Sequence, residues 1–105
     1  MNAMAIEITQ FEIDDEREVE MLTAHEGVVT AVRAACPGLI DARLYRAGTA
    51  GGWIDVWSWE SLDLAEAAAE TAMALPEAAA FFSFITSPPS MVPGTLVAED
   101  LRERA

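Results

Sequence analysis

The chain is poor in the residues that most site chemistry needs. Its 105 residues include one cysteine, one histidine and one tyrosine, and six basic side chains stand against 18 acidic ones, for a formal charge of −12. Each scarcity excludes something. Cys36 alone cannot form an internal disulfide, which fits a reducing compartment and predicts a cytoplasmic protein. His25 and Cys36, eleven positions apart, do not make a zinc or iron cluster, and the acids are dispersed, so no metal site is expected. With so few cations to displace counterions, nucleic acid and anionic membrane surfaces are expected to be poor partners. No run of about 18 apolar residues and no basic start leading into an apolar core is present, so neither a membrane span nor a secretory signal is predicted. Gly48, Gly51 and Gly52 sit between two predicted strands without the following helix that a phosphate loop needs. No serine or cysteine carries the local signature of an activated nucleophile. A bound cofactor is therefore not expected.

What the chain does have is apolar surface, with 52 % of its residues hydrophobic. That is slightly rich for one small domain with one core, and part of it is expected to be covered by another subunit. Ala5 to Ile13 alternates, with Ile6, Ile8, Gln10 and Glu12 on one side and Glu7, Thr9, Phe11 and Ile13 on the other. Neither side is purely polar, so both faces of this first strand should be covered. Asp14 and Asp15 offer N-cap oxygens to a helix running to about Ala35. Its apolar stripe is Met21, Leu22, His25, Val28, Val29, Val32 and Cys36. Cys36-Pro-Gly38 ends it.

Leu39 to Arg46 reads as a second strand and the glycine-rich stretch 47–52 as a turn. The run GGWIDVWSWES, residues 51–61, then places Trp53, Asp55, Trp57 and Trp59 on one face of a third strand. A hairpin with Arg46 opposite Gly52 would set Tyr45 against Trp53, Arg43 against Asp55 and Asp41 against Trp57. Its other face would be Ile40, Ala42 and Leu44 with Ile54, Val56 and Ser58. Ser61, or Asp63 with Glu66 as a capping box, can start a helix over Leu64 to Leu75. Pro76 restarts a short helix to Ile85, and about Met91 to Glu99 is a last strand, whose Pro93 suits a sheet edge. The order is βαββαβ, an α+β ferredoxin-like arrangement with two main helices on one face of an antiparallel sheet. The other face of the sheet is most simply covered by a second copy of the chain.

By this element order the whole chain resembles the dimeric α/β-barrel superfamily, and most closely its antibiotic biosynthesis monooxygenase branch. The most specific local part is VWSWESLDLAEAA, residues 56–68, followed by LPEAAAFF. The resemblance implies one such domain over residues 1–105, with tails at 1–4 and 100–105, and a homodimer. It implies that Trp59 matches the tryptophan lining the family's pocket. It also implies a cofactor-independent monooxygenase that oxidises a small aromatic, polyketide-like or quinol-like molecule with O₂. The histidine that haem-degrading relatives carry on the second helix is missing near Ala67 to Ala69, which removes the expected iron ligand.

His25, on the centre of an apolar stripe, is a candidate general base or a histidine satisfied by a neighbour. Arg43 is a candidate stabiliser of an ionised substrate oxygen, or half of a structural ion pair with Asp55. Trp57 and Trp59, with Tyr45, Asp55 and Phe81, are the candidate substrate contacts, and dimer-interface packing is the competing role for the tryptophans. Two other functions stay open on the same scaffold. One is a non-catalytic, stress-related or regulatory dimer that binds a small apolar ligand. The other is an isomerase in which His25 shuttles a proton.

Overall fold

The computed structural model describes residues 3–48 and 51–100. Four strands, β1 (Ala5–Glu12), β2 (Leu39–Arg46), β3 (Gly52–Trp59) and β4 (Ser90–Thr95), form one antiparallel sheet in the order β2-β3-β1-β4. Helices α1 (Glu18–Ala35), α2 (Leu62–Met73) and α3 (Pro76–Phe82) complete the ferredoxin-like α+β fold. Among the described residues, no helix is long and apolar enough to cross a membrane.

Capping chemistry sets the helix starts. Asp14 accepts from the Glu16 amide and leads through a 3-10 turn, Asp15–Arg17, into α1. Ser61 accepts from the Leu64 amide, so α2 begins at Leu62 and Asp63 lies in its first turn rather than serving as the cap. Pro76 opens α3, where its missing N–H costs nothing. That helix stops at Phe82 rather than Ile85, because the Phe84 and Ile85 amides bond three residues back and Ile85 bridges to Ile13. The last strand is shorter than expected for a similar reason. β1 begins at Ala5, which pairs with Thr95, and the ladder ends on the bond from the Leu96 amide to the Met4 carbonyl.

The core lies between sheet and helices, with Ala5, Phe11, Trp53 and Trp59 from the strands meeting Met21, Val28, Val32, Ala65, Ala68 and Phe81 from the helices. The alternation expected in β1 and β3 holds, and the tryptophan face of β3 is the one that meets the helices.

The β2–β3 register differs from expectation by one residue. Arg46 pairs with Trp53, Tyr45 with Ile54, Leu44 with Asp55, Arg43 with Val56 and Ala42 with Trp57. A slip of one turns a strand over. Leu44 and Ala42 therefore join the helix side, and Arg43 and Tyr45 move to the open face. There the Arg43 guanidinium lies 3.8 Å from Asp41, a residue that pairs with Ser58 and not with Trp57. The physical reason is visible at both ends of β2. Leu39 and Leu44 pack against the core, where an arginine would be desolvated. Arg46, on the helix side, lays its guanidinium over the Trp53 ring at 4.6 Å and hydrogen-bonds the Glu18 carboxylate at 3.0 Å. Gly51 at φ 75° and a bond from the Ala47 amide to the Gly52 carbonyl close the hairpin, whose Thr49 and Ala50 lie outside the described residues.

Candidate functional site

Period-two alternation sends Asp55, Trp57 and Trp59 toward the helices, and antiparallel pairing brings Glu7 beside Trp57 and Thr9 beside Asp55 on the same face. Above them, α2 offers alanines. Ala65 and Ala68 are buried, and Ala68, Ala69 and Ala72 do not fill the space over the sheet. The result is a cavity of about 160 Å³. Its floor is Glu7, Asp55, Trp57 and Trp59, and Phe81 closes one side. Met73, Phe82 and Met91 line it and are exposed, so they mark its mouth.

The two tryptophan rings stack, with centroids 6.3 Å apart and planes 19° from parallel. Each indole is fixed by a carboxylate. Trp57 Nε1–H donates to Asp55 Oδ2 at 2.8 Å, and Trp59 Nε1–H donates to Glu7 Oε1 at 2.9 Å. Asp55 is 4 % exposed, and its other oxygen lies 3.0 Å from His25 Nε2. A carboxylate only accepts, so the proton of that bond sits on Nε2. His25 itself stacks edge-on against Phe81, with centroids 5.4 Å apart. Burial pushes the Glu7 carboxyl above the usual carboxylate range, and the bond from Trp59 opposes that only in part.

Of the residues singled out in the sequence, Asp55, Trp57, Trp59 and Phe81 are brought together around this cavity. His25 is not in its lining and reaches it through Asp55. Arg43 and Tyr45 stand on the opposite face of the sheet, because the register places them beside Val56 and Ile54. The Arg43–Asp55 pair therefore does not form. The tryptophans face the cavity and the core rather than the open sheet face.

Glu7 and the alanines of α2 also line the cavity and are not among the residues singled out in the sequence. The signal for Glu7 was present, since it falls on the same side of β1 as Phe11 and Ile13, where a carboxylate is costly. Among the described residues, no group of three or more His, Cys, Asp or Glu side chains is arranged to hold a metal ion.

No protein-family model matches the sequence, and no curated protein does. Solved structures do match. A candidate antibiotic biosynthesis monooxygenase from Nitrosomonas europaea superposes with a TM-score of 0.75 at 13 % identity, over 92 % of this chain and 93 % of that one. A second, from Caulobacter crescentus CB15, gives 0.72 at 17 % identity over 92 % of each chain. SnoaB, a cofactor-independent oxygenase from Streptomyces nogalater, gives 0.67 at 19 % identity, over 96 % of this chain and 99 % of that one. Helices on one face of a β2-β3-β1-β4 sheet, matched along nearly the full length of these structures, give the chain the ferredoxin-like fold of the antibiotic biosynthesis monooxygenases.

Proposed function

We propose that the cavity binds one ring of a small, flat aromatic molecule and that the chain oxygenates it with O₂, without flavin or metal. The observation that carries this reading is the floor of stacked Trp57 and Trp59, opposite small alanines and closed by Phe81. An apolar cavity of about 150 Å³ is known to take benzene. A space of about 160 Å³ suits a single ring, with the rest of the molecule leaving past Met73 and Met91. The fold shared with SnoaB, described as a cofactor-independent oxygenase, supports the reaction class.

The chemistry balances without a reductant. When a methylene between two aryl rings becomes a carbonyl, the substrate supplies four electrons, one oxygen atom enters the product and the other leaves as water. What a protein must add is ionisation of the substrate, so that it can pass an electron to O₂, and a dry, oriented slot in which to do so. His25 acts in this reading as a positioning residue. It holds Asp55, which holds the Trp57 ring.

The active form in this reading is a homodimer, in the reducing interior that the free, buried Cys36 fits. The open face of the sheet carries Ile6, Ile8, Ile54 and Val56 between the exposed Tyr45 and Val92. A second copy would bury that face. Light scattering should give twice the 11.3 kDa chain mass at micromolar concentration.

Oxygen uptake by chelator-treated protein with anthrone tests the activity, beside Trp59→Phe. Saturable uptake that falls in the variant supports the reading. Uptake no faster than anthrone oxidises in buffer sinks it and leaves a protein that binds an aromatic without oxygenating it.

A further inference from the structure

The cavity has three polar side chains in its lining, Glu7, Thr9 and Asp55, and no cationic one. Asp55 has both oxygens committed, one to His25 and one to Trp57. Glu7 is different. Its Oε1 accepts from Trp59, while Oε2 makes no hydrogen bond to the protein among the described residues. Nor is Oε2 sealed away, since no buried side-chain oxygen there lacks a partner. Glu7, a lining residue of an apolar, aromatic cavity, thus keeps one carboxylate oxygen accessible and without a protein partner, while an indole fixes the other.

We propose that Glu7 is the base of this site, taking the acidic proton of the bound aromatic on Oε2 while the Trp59 N–H holds Oε1. The cavity accordingly selects uncharged, proton-donating aromatics over anionic ones. The inference rests on the aromatic ligand of the preceding section and adds to it the proton acceptor and the charge class of the substrate.

The step conserves charge inside the site. The proton passes from a substrate carbon or hydroxyl to Glu7 Oε2, the bonding electron pair stays on the substrate, and a carboxylate with a neutral ligand becomes a carboxylic acid with an anionic one. A substrate that arrived as an anion would add a further negative charge beside Glu7 and Asp55 with no cation in the lining, at a desolvation cost that nothing repays. Burial also makes Glu7 a stronger proton acceptor than a carboxylate in water, which favours removal of a weakly acidic proton. Asp55, doubly bonded and fixed, is poorly placed to accept a third proton donor.

The test separates proton removal from oxygen chemistry. Under nitrogen in D₂O, wild-type protein should accelerate exchange of the anthrone methylene protons, followed by NMR. In Glu7→Gln the acceleration should fall on the order of a hundredfold, while quenching of tryptophan fluorescence by neutral anthraquinone persists. Wild-type protein should also bind anthraquinone at least roughly tenfold more tightly than anthraquinone-2-sulfonate, about 1.4 kcal/mol. That comparison needs no variant and stands even if Glu7→Gln fails to fold. Exchange no faster than in buffer, exchange undiminished in a folded Glu7→Gln, or equal affinity for the sulfonate would each overturn the proposal. Exchange without oxygen uptake would instead leave Glu7 in its role, remove the oxygenase reading and favour proton-transfer isomerisation.

Discussion

Asp55 holds Trp57 from two residues away on the same strand, its Oδ2 accepting the indole N–H at 2.8 Å while His25 occupies Oδ1. The aromatic floor of the cavity is therefore fixed by a buried carboxylate that has no spare oxygen. Replacing Asp55 with alanine leaves two donors without a partner in a buried setting. Urea unfolding should show a loss of about 2–4 kcal/mol with an unchanged m-value. A loss below about 0.5 kcal/mol would mean that His25 and Trp57 are not held this way.

Alanines make the cavity, so filling it should remove function without unfolding the protein. Ala68→Leu places a side chain into the space above Trp57 and Trp59. Stability should stay within about 1 kcal/mol of wild type, since added apolar burial offsets local crowding. Fluorescence quenching by anthraquinone should be lost.

Glu7 should leave a signature in the pH dependence of stability. Its folded-state affinity for a proton is raised by burial, so its contribution is fully present below the ordinary carboxylate range. It is lost as pH rises through the raised value. Compared with Glu7→Gln, wild-type protein should lose ground in its melting temperature as pH climbs from acid to neutral. A variant curve parallel to wild type throughout would contradict this.

Glu18 has the opposite sign. The hydrogen bond from Arg46 holds its carboxyl below the usual range, so its contribution is present above that range and fades as pH falls through the lowered value. Glu18→Gln should melt lower than wild type near neutrality, with the gap closing in acid. High salt should shrink the gap as well, because the pair is solvent-exposed.

Gly38 marks where α1 turns back into β2. It sits at φ 94°, and a Cβ there would lie 2.5 Å from the Leu64 Cδ1. Gly38→Ala should cost about 1–2 kcal/mol in urea unfolding, through backbone strain and displacement of Leu64.

Much of this arrangement is legible in the residues themselves. Alternation in β3 alone puts Trp53, Asp55, Trp57 and Trp59 on one face, and alternation in β1 puts Glu7 with Phe11, because a half-buried strand has only two sides. The stripe of α1 points His25 at that face. The β2–β3 register is not legible in the same way. A glycine-rich turn does not by itself name the pairing, and it is the packing of Leu44 and the reach of Arg46 to Trp53 and Glu18 that go with the observed register. Placing Arg43 and Tyr45 at the site depends on that undetermined step. The cavity is hidden for a different reason. High helix propensity explains the alanines of α2 as readily as empty space does, and only the position of the helix over the sheet distinguishes the two.

The most direct test of the oxygenase reading is product analysis under ¹⁸O₂ with chelator-treated protein and anthrone. Anthraquinone should form in proportion to protein concentration, with one labelled oxygen in the new carbonyl and the other in water. Anthraquinone appearing at the same rate with and without protein would contradict that reading.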